Sequence, residues 1–332
     1  MRDPYDAESR ARKAAEELVG AAVTAVLPAY AGANSRIFKV EAAHGPFALK
    51  NYPVRPGDTR SRAEVEWKAL HFLSRHCNGA APRPVARDAA GQFLLMEWIE
   101  GEPLKRHTPQ DVLLATDFIG RIFASSADPE AAAFPLASEA CLSAAIIVRQ
   151  IEQRLTALAS EPALTVFLRE TILPALAAAK GAIPSADGEL EQELRRLIPS
   201  DFGFHNALRQ PDGRVRYIDF DYFGWDDPVK VAADFLLHPA MQLSTQEKID
   251  FVAGLVRWLP ADRGFLPRLA ARLPLYALRW AMILFNPFRR DRAQDLPADA
   301  NKRDALREER IAKARNLIAS RDDAMIATLQ SQ

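Results

Sequence analysis

Cysteine is scarce in this chain. Cys77 and Cys141 are the only two among 332 residues, and neither belongs to a CxxC pair. A disulfide framework and a thiolate zinc site are therefore not expected, and two reduced, partly buried thiols fit a cytoplasmic protein. Net charge is also missing. Lys plus Arg and Asp plus Glu both total 43, so no global field draws the chain to nucleic acid or to an anionic membrane. Long apolar runs are absent by inspection. "LPLYALRWAMILF" is interrupted by Arg279, and no run is expected to span a bilayer. Residues 18–34, "LVGAAVTAVLPAYAGAN", are uncharged. Asp3, Asp6, Glu8, Glu16 and Glu17 precede them and Pro28 breaks them, which argues against a signal peptide. A GxGxxG loop is lacking as well, and neither DFG nor APE follows "RYIDFDYFG".

What is present is an ordinary globular composition, 48% hydrophobic and 26% charged, long enough for two lobes. The pattern predicts a helix over about 6–19, then a strand. "RIFKVEA" and "PFALKNY" read as strands joined by "AHG", "QFLLMEWI" as another strand, and residues 60–75 as a helix between them. Beyond about residue 107 the pattern is mostly helical: 109–124, 137–159, 161–180, 244–259, 264–286 and 301–329. Ser244 and Glu247 have the spacing of a capping box. "RVRYIDFDY" is the clear strand among these helices. The lobe boundary falls near "EWIEGEPL", giving residues 1–100 and 101–332.

Several polar residues are not explained by this pattern. Strand alternation puts Ala48, Lys50 and Tyr52 on one face. A strand lysine is ordinarily a solvated edge residue. Glu66 shares a helix face with Ala69, Leu70 and Leu73, where an unpaired carboxylate is costly. It either reaches water at the edge of the stripe or pairs with Lys50; Glu64 is the rival partner. Asp201 and Asn206 lie in the loop-like run "SDFGFHNAL", and Asp219 sits at the end of the strand "RYIDF". A strand-end carboxylate beside a loop Asp and Asn suits Mg2+. The ordered set of strand Lys, helix Glu, Asp-x4-Asn and strand-end Asp is the layout of phosphoryl transfer, in which catalysis is positioning and charge neutralisation.

With these residues in place, the sequence resembles the aminoglycoside phosphotransferase and choline kinase family. "GANSRIFKV", "FALK", "EVEWKALHFL", "APRPV", "LLMEWIEGEPL", "SDFGFHNAL", "YIDFDYFGWDDP" and "VKVAADF" match its segments in order, over roughly 30–104 and 199–240. The resemblance implies an α+β, two-lobed protein-kinase-like fold. Its N-terminal lobe is an antiparallel sheet with one key helix, and its larger C-terminal lobe is mostly helical. It also implies ATP and Mg2+ as cofactors and a hydroxyl-bearing small molecule as acceptor. By the match, Asn34 and Ser35 belong to the nucleotide loop, and Lys50 with Glu66 clamps phosphates. Met96 borders the adenine pocket, and the Glu97 carbonyl and Ile99 amide meet the adenine edge. Asp201 is the base, Asn206 and Asp219 hold the metal, and Asp234 braces the catalytic loop.

Two departures stand out. Pro199-Ser200-Asp201 replaces the family's His-Gly-Asp, which leaves a non-catalytic nucleotide-binding scaffold as the alternative. Asp221, Asp226 and Asp227 crowd the metal Asp, as extra ligands, acceptor contacts or solvated acids, with at least one of Asp226 and Asp227 solvated or structural. The acceptor stays open. Those acids with Glu139 suit an aminoglycoside, Trp225, Tyr222, Phe223 and Trp280 a choline-like cage, and "NPFRRDR" an anion. A metabolic hydroxyl is expected ahead of an antibiotic.

Overall fold

The computed structural model describes residues 4–31, 35–53, 61–319, 325, 327 and 328. The chain opens with α1 (Pro4–Val19), β1 (Val23–Ala31), β2 (Arg36–Ala42), β3 (Gly45–Asn51), α2 (Arg62–His76), β4 (Pro84–Arg87) and β5 (Phe93–Glu97). There follow β6 (Glu102–Pro103), α3 (Pro109–Ser125), α4 (Ala144–Leu158), α5 (Thr165–Phe167), α6 (Leu173–Gly181), β7 (Arg196–Ile198), β8 (Ala207–Arg209), β9 (Val215–Tyr217) and β10 (Gly224–Asp226). The last helices are α7 (Pro228–Leu237), α8 (Thr245–Arg257), α9 (Phe265–Ile283) and α10 (Ala300–Ala319). They form two compact units, one of residues 1–138 with 199–224, the other of 139–198 with 225–332. The boundary at residue 100 lies inside the first unit.

In the first unit the strands form an antiparallel sheet of order β1-β2-β3-β5-β4. Strand alternation sorts its two faces. Phe38, Val40, Leu49, Phe93 and Leu95 pack with Ala11, Ala14 and Ala15 of α1 into one buried core. Lys50 stands opposite Leu94, and Ala48 opposite Met96, on the other face. There α2 buries Glu66, Ala69, Leu70 and Leu73 along a single stripe. A second sheet, β6-β8-β9, carries the segment from 199 to 220. Its anchors are aromatic: Phe118 of α3 stacks on Tyr217 at 4.5 Å, and Phe202 packs on Tyr217 at 5.0 Å.

The second unit is helical around α9, against which α4, α6, α7 and α10 pack. Helix α9 carries Pro274 and buries Arg272 and Arg279. A buried guanidinium must be paired. Arg272 binds Asp187 at 2.7 Å and Asp227 at 2.9 Å, and Arg279 binds Glu139 at 2.6 Å and Gln150 at 2.7 Å.

Most of the expected elements form; the differences have local causes. The helix expected over 137–159 begins only at Ala144, because Ser143 caps it by accepting from the Ile146 amide. Residues 161–180 are not one regular helix. A wide turn over Leu168–Ile172 precedes Pro174, which has no N–H to donate. Contrary to the expectation that no run reaches membrane-spanning length, Pro162–Gly181 is long and apolar enough to do so. Its Leu164, Phe167, Leu168, Ile172, Leu176 and Ala179 are nevertheless buried at three- and four-residue spacing, the pattern of a helix packed on a core. The capping box is present, with Ser244 and Glu247 bonded reciprocally. The strand read in "RVRYIDFDY" spans only Val215–Tyr217.

Candidate active site

Lys50 is 3% exposed and lies between two carboxylates. Its Nζ donates to Glu66 Oε2 at 2.5 Å and to Asp219 Oδ1 at 2.7 Å. Burial alone would favour the neutral amine. Asp219, Glu66 and Asp221 outweigh it and hold the ammonium above its ordinary range. Glu66 is 1% exposed and fully engaged: Oε2 also accepts from the Tyr52 hydroxyl at 2.5 Å, and Oε1 accepts from the Phe220 amide at 3.1 Å. The rival Glu64 is half exposed and pairs with Lys68 at 2.9 Å. The pairing of Lys50 with Glu66 is thus formed, and one carboxylate ties β3, α2 and the segment after β9 together.

Asp219 does not end a strand. β9 stops at Tyr217, and Asp219 adopts φ +71°. That left-handed turn aims its carboxylate back at Lys50 instead of continuing the ladder. The Ile218 amide donates to the Asn206 carbonyl at 2.9 Å, which joins the turn to the 201–206 loop. In that loop, Asn206 Nδ2 donates to the Asp201 carbonyl at 2.8 Å, and the Asn206 amide to Gly203 at 3.0 Å. His205 Nε2 lies 3.2 Å from Asp201 Oδ1. Ser200 precedes them at φ +58°, the left-handed region that favours glycine.

Asp221 is no solvated loop acid. It is 3% exposed, and its Oδ1 has no hydrogen-bond partner among the described residues. Burial, with Asp219 and Glu66 adding repulsion against the attraction of Lys50, pushes this carboxyl well up. The Asp219 carboxylate, the orphaned Asp221 oxygen and the Asn206 amide offer hard oxygens of the type that Mg2+ takes, so the residues present fit such an ion.

At the other expected positions, Ser35 is buried at the head of β2, while Asn34 lies outside the described residues. Met96 shares the sheet face of Lys50 through its register with Ala48. Ile99 is buried. The Glu97 side chain is used structurally, accepting from Arg216 and from the Arg83 amide, each at 3.0 Å. Against the effect of burial, those donors hold its carboxyl below the usual range.

Asp234, expected at the catalytic loop, finds its partners on α7 and α9: Lys230 at 2.8 Å, Trp280 Nε1 at 2.8 Å and Arg279 at 3.6 Å. Trp280 spends its polar edge there, and Phe223 sits in a cluster with Phe72 and Phe134. Asp227 caps α7 through the Val229 amide and binds Arg268 and Arg272. Asp226 accepts from the Cys141 and Asp227 amides at 2.8 and 2.7 Å. Both of these acids are structural. Sequence reasoning missed two groups of the site. Tyr52 has a signal, the alternation that puts it on the face of Lys50. His205 has none, since a loop has no periodicity to orient a side chain.

Solved structures of low identity share this kinase-like α+β fold. Choline kinase from Cryptosporidium parvum is 15% identical, with 99% of each chain covered and a TM-score of 0.59. The choline kinase LicA from Streptococcus pneumoniae is 13% identical, with 94% of this chain and 99% of that chain covered and a TM-score of 0.60. A spectinomycin phosphotransferase in complex with ADP and spectinomycin is 11% identical, with 98% of each chain covered and a TM-score of 0.57. No curated protein matches the chain. Residues 26–266 match the phosphotransferase enzyme family across most of the length, and the chain belongs to that family.

Proposed function

We propose that this phosphotransferase moves the γ-phosphate of ATP to a hydroxyl of a small molecule. The observation that carries the reading is the buried Lys50 held by Glu66 and Asp219 in the unit that also presents Asp201 and Asn206. Bound Mg-ATP supplies the phosphoryl group and the charge that neutralises it. Asn206 and Asp219 would hold the metal, and the unpartnered Asp221 oxygen is a further hard donor. Lys50, kept cationic by its carboxylates, turns to the α- and β-phosphates, while Glu66 fixes its reach. Ser35 lines the phosphate loop; Met96, the Glu97 carbonyl and the Ile99 amide take the base. Asp201 accepts the proton as the acceptor O–H bond breaks. The oxygen bonds to phosphorus, the bond to the β-phosphate oxygen opens and ADP leaves.

The acceptor is a small hydroxyl compound, such as a sugar, an amino alcohol or a related metabolite, with an aminoglycoside within the same chemistry. Tests would follow ADP release from Mg-ATP across a panel of those compounds and nucleosides, with Asp201→Asn in parallel. Release lost in the variant supports the reading. Bound ATP with no release from the wild type, with or without acceptor, would replace it by the nucleotide-binding scaffold.

A further inference from the structure

We propose that His205 is a positioning residue for Asp201, holding its carboxylate at the orientation needed to receive the acceptor proton; this rests on the reading of Asp201 as the base. The loop is built to bring the two together. Residues Phe204–Asn206 form a single tight turn closed by the Asn206 amide on the Gly203 carbonyl at 3.0 Å. Four residues of chain are thereby folded back, and Nε2 of His205 meets Oδ1 of Asp201 at 3.2 Å. The neighbours of His205 fix that turn. Phe204 is buried and stacks on His107 at 4.7 Å, and Phe202 packs on Tyr217 and Phe118. With both phenylalanines turned inward, the intervening backbone has little freedom. The Asn206 side chain pins the backbone of Asp201 at 2.8 Å.

That carboxylate is 41% exposed, against 18% for the imidazole. An exposed Asp side chain samples several rotamers unless something holds it. An ionised carboxylate only accepts, so the nitrogen facing it, Nε2, must carry a proton. The hydrogen bond then restricts one oxygen of Asp201 and directs the carboxyl. A misplacement of about 1 Å at such a group lowers turnover by about 100-fold.

The test compares His205→Ala, His205→Gln and His205→Asn in ADP release from Mg-ATP, with the best acceptor of the panel, or water where none is found. A glutamine amide reaches the place of Nε2; an asparagine amide reaches only the place of Nδ1. The expected result is a kcat loss of about 10- to 100-fold in His205→Ala with KM for Mg-ATP within about two-fold. Glutamine recovers most of the loss, and asparagine does not. An independent readout is the side-chain 15N spectrum of the full-length protein, where His205 shows a protonated Nε2 whose resonance moves in Asp201→Ala. A kcat in His205→Ala within two-fold of wild type overturns the inference, as does a glutamine variant no better than asparagine or an unprotonated Nε2. If the wild type releases no ADP at all, the reading of Asp201 as base fails, and the nitrogen spectrum still decides whether the pair exists.

Discussion

Lys50 and Asp219 are joined by a 2.7 Å ion pair although 169 positions separate them in sequence, and the same ammonium holds Glu66. One buried cation thus balances two carboxylates directly and lowers the cost of a third, Asp221. Removing it leaves like charges facing one another, with Glu66 and Asp221 buried. Lys50→Met is expected to lower stability by about 3–5 kcal/mol, the usual cost of breaking a buried pair. Millimolar Mg2+ should restore part of that loss, because an ion that binds the folded state stabilises it. Urea unfolding with and without Mg2+ checks both statements. A variant as stable as the wild type would show that Lys50 does not hold the acids together.

Ser200 adopts φ +58° and buries an Oγ with no hydrogen-bond partner among the described residues. Both features disfavour serine: the left-handed backbone costs about 1–2 kcal/mol and the orphaned hydroxyl adds to it. Glycine offers more entropy to the unfolded chain, which offsets part of the gain. Ser200→Gly is expected to be more stable than wild type by about 1 kcal/mol, and Ser200→Ala to fall below the glycine variant. The midpoints of urea unfolding rank the three proteins. If alanine equals or exceeds glycine, the backbone at this position is not strained.

Some of the site is legible in the sequence because periodic elements orient their side chains. Strand alternation puts Lys50 on the face away from Leu49, and helical spacing puts Glu66 in the stripe that covers that face, so their meeting follows from geometry. The sheet register places Met96 by the same rule. Where periodicity stops, the reading loses its footing. Asp219 looks like a strand end because apolar residues precede it, yet the chain turns left-handed after Tyr217. Asp234 reads as a loop brace by resemblance, while its buried carboxylate pairs with Lys230, Trp280 and Arg279. Asp226 and Asp227 read as extra ligands, acceptor contacts or solvated acids, with at least one solvated or structural. The arginines that explain Asp227 are about 40 residues further along α9, and spacing alone does not announce them. His205 is visible only once its loop is folded.

Gly224 closes the segment "YFG" against the chain before residue 138. A Cβ there would stand 2.5 Å from the Pro135 carbonyl oxygen and 2.6 Å from the Ala137 nitrogen, both backbone atoms. Backbone cannot swing aside as a side chain can, so the overlap must be met by moving one strand of chain from the other. Gly224→Ala is expected to destabilise by about 1–3 kcal/mol or more, the range of overpacked sites. Thermal and urea unfolding measure it. Unchanged stability would mean that the two segments separate at little cost.

Asp226 is wholly buried; one oxygen takes two amide donors and the other, Oδ2, has no hydrogen-bond partner among the described residues. Burial, partly opposed by Lys230 and by those amides, pushes its carboxyl up to about 7 from the ordinary 3.8. The folded chain therefore binds this proton more tightly than the unfolded chain does. The associated stability is fully present below about pH 4 and is lost as pH rises through 7. Asparagine keeps the accepting oxygen and has no proton to lose. Between pH 5 and pH 8 the stability of Asp226→Asn relative to wild type should therefore rise by about 2–3 kcal/mol. Urea unfolding of both proteins at the two pH values gives the difference, and other titrating groups cancel in it. A constant difference would mean that Asp226 carries the same charge in the folded and unfolded chains across this range. A difference that moves in favour of the wild type would mean that the folded unit prefers the carboxylate, with Lys230 outweighing burial.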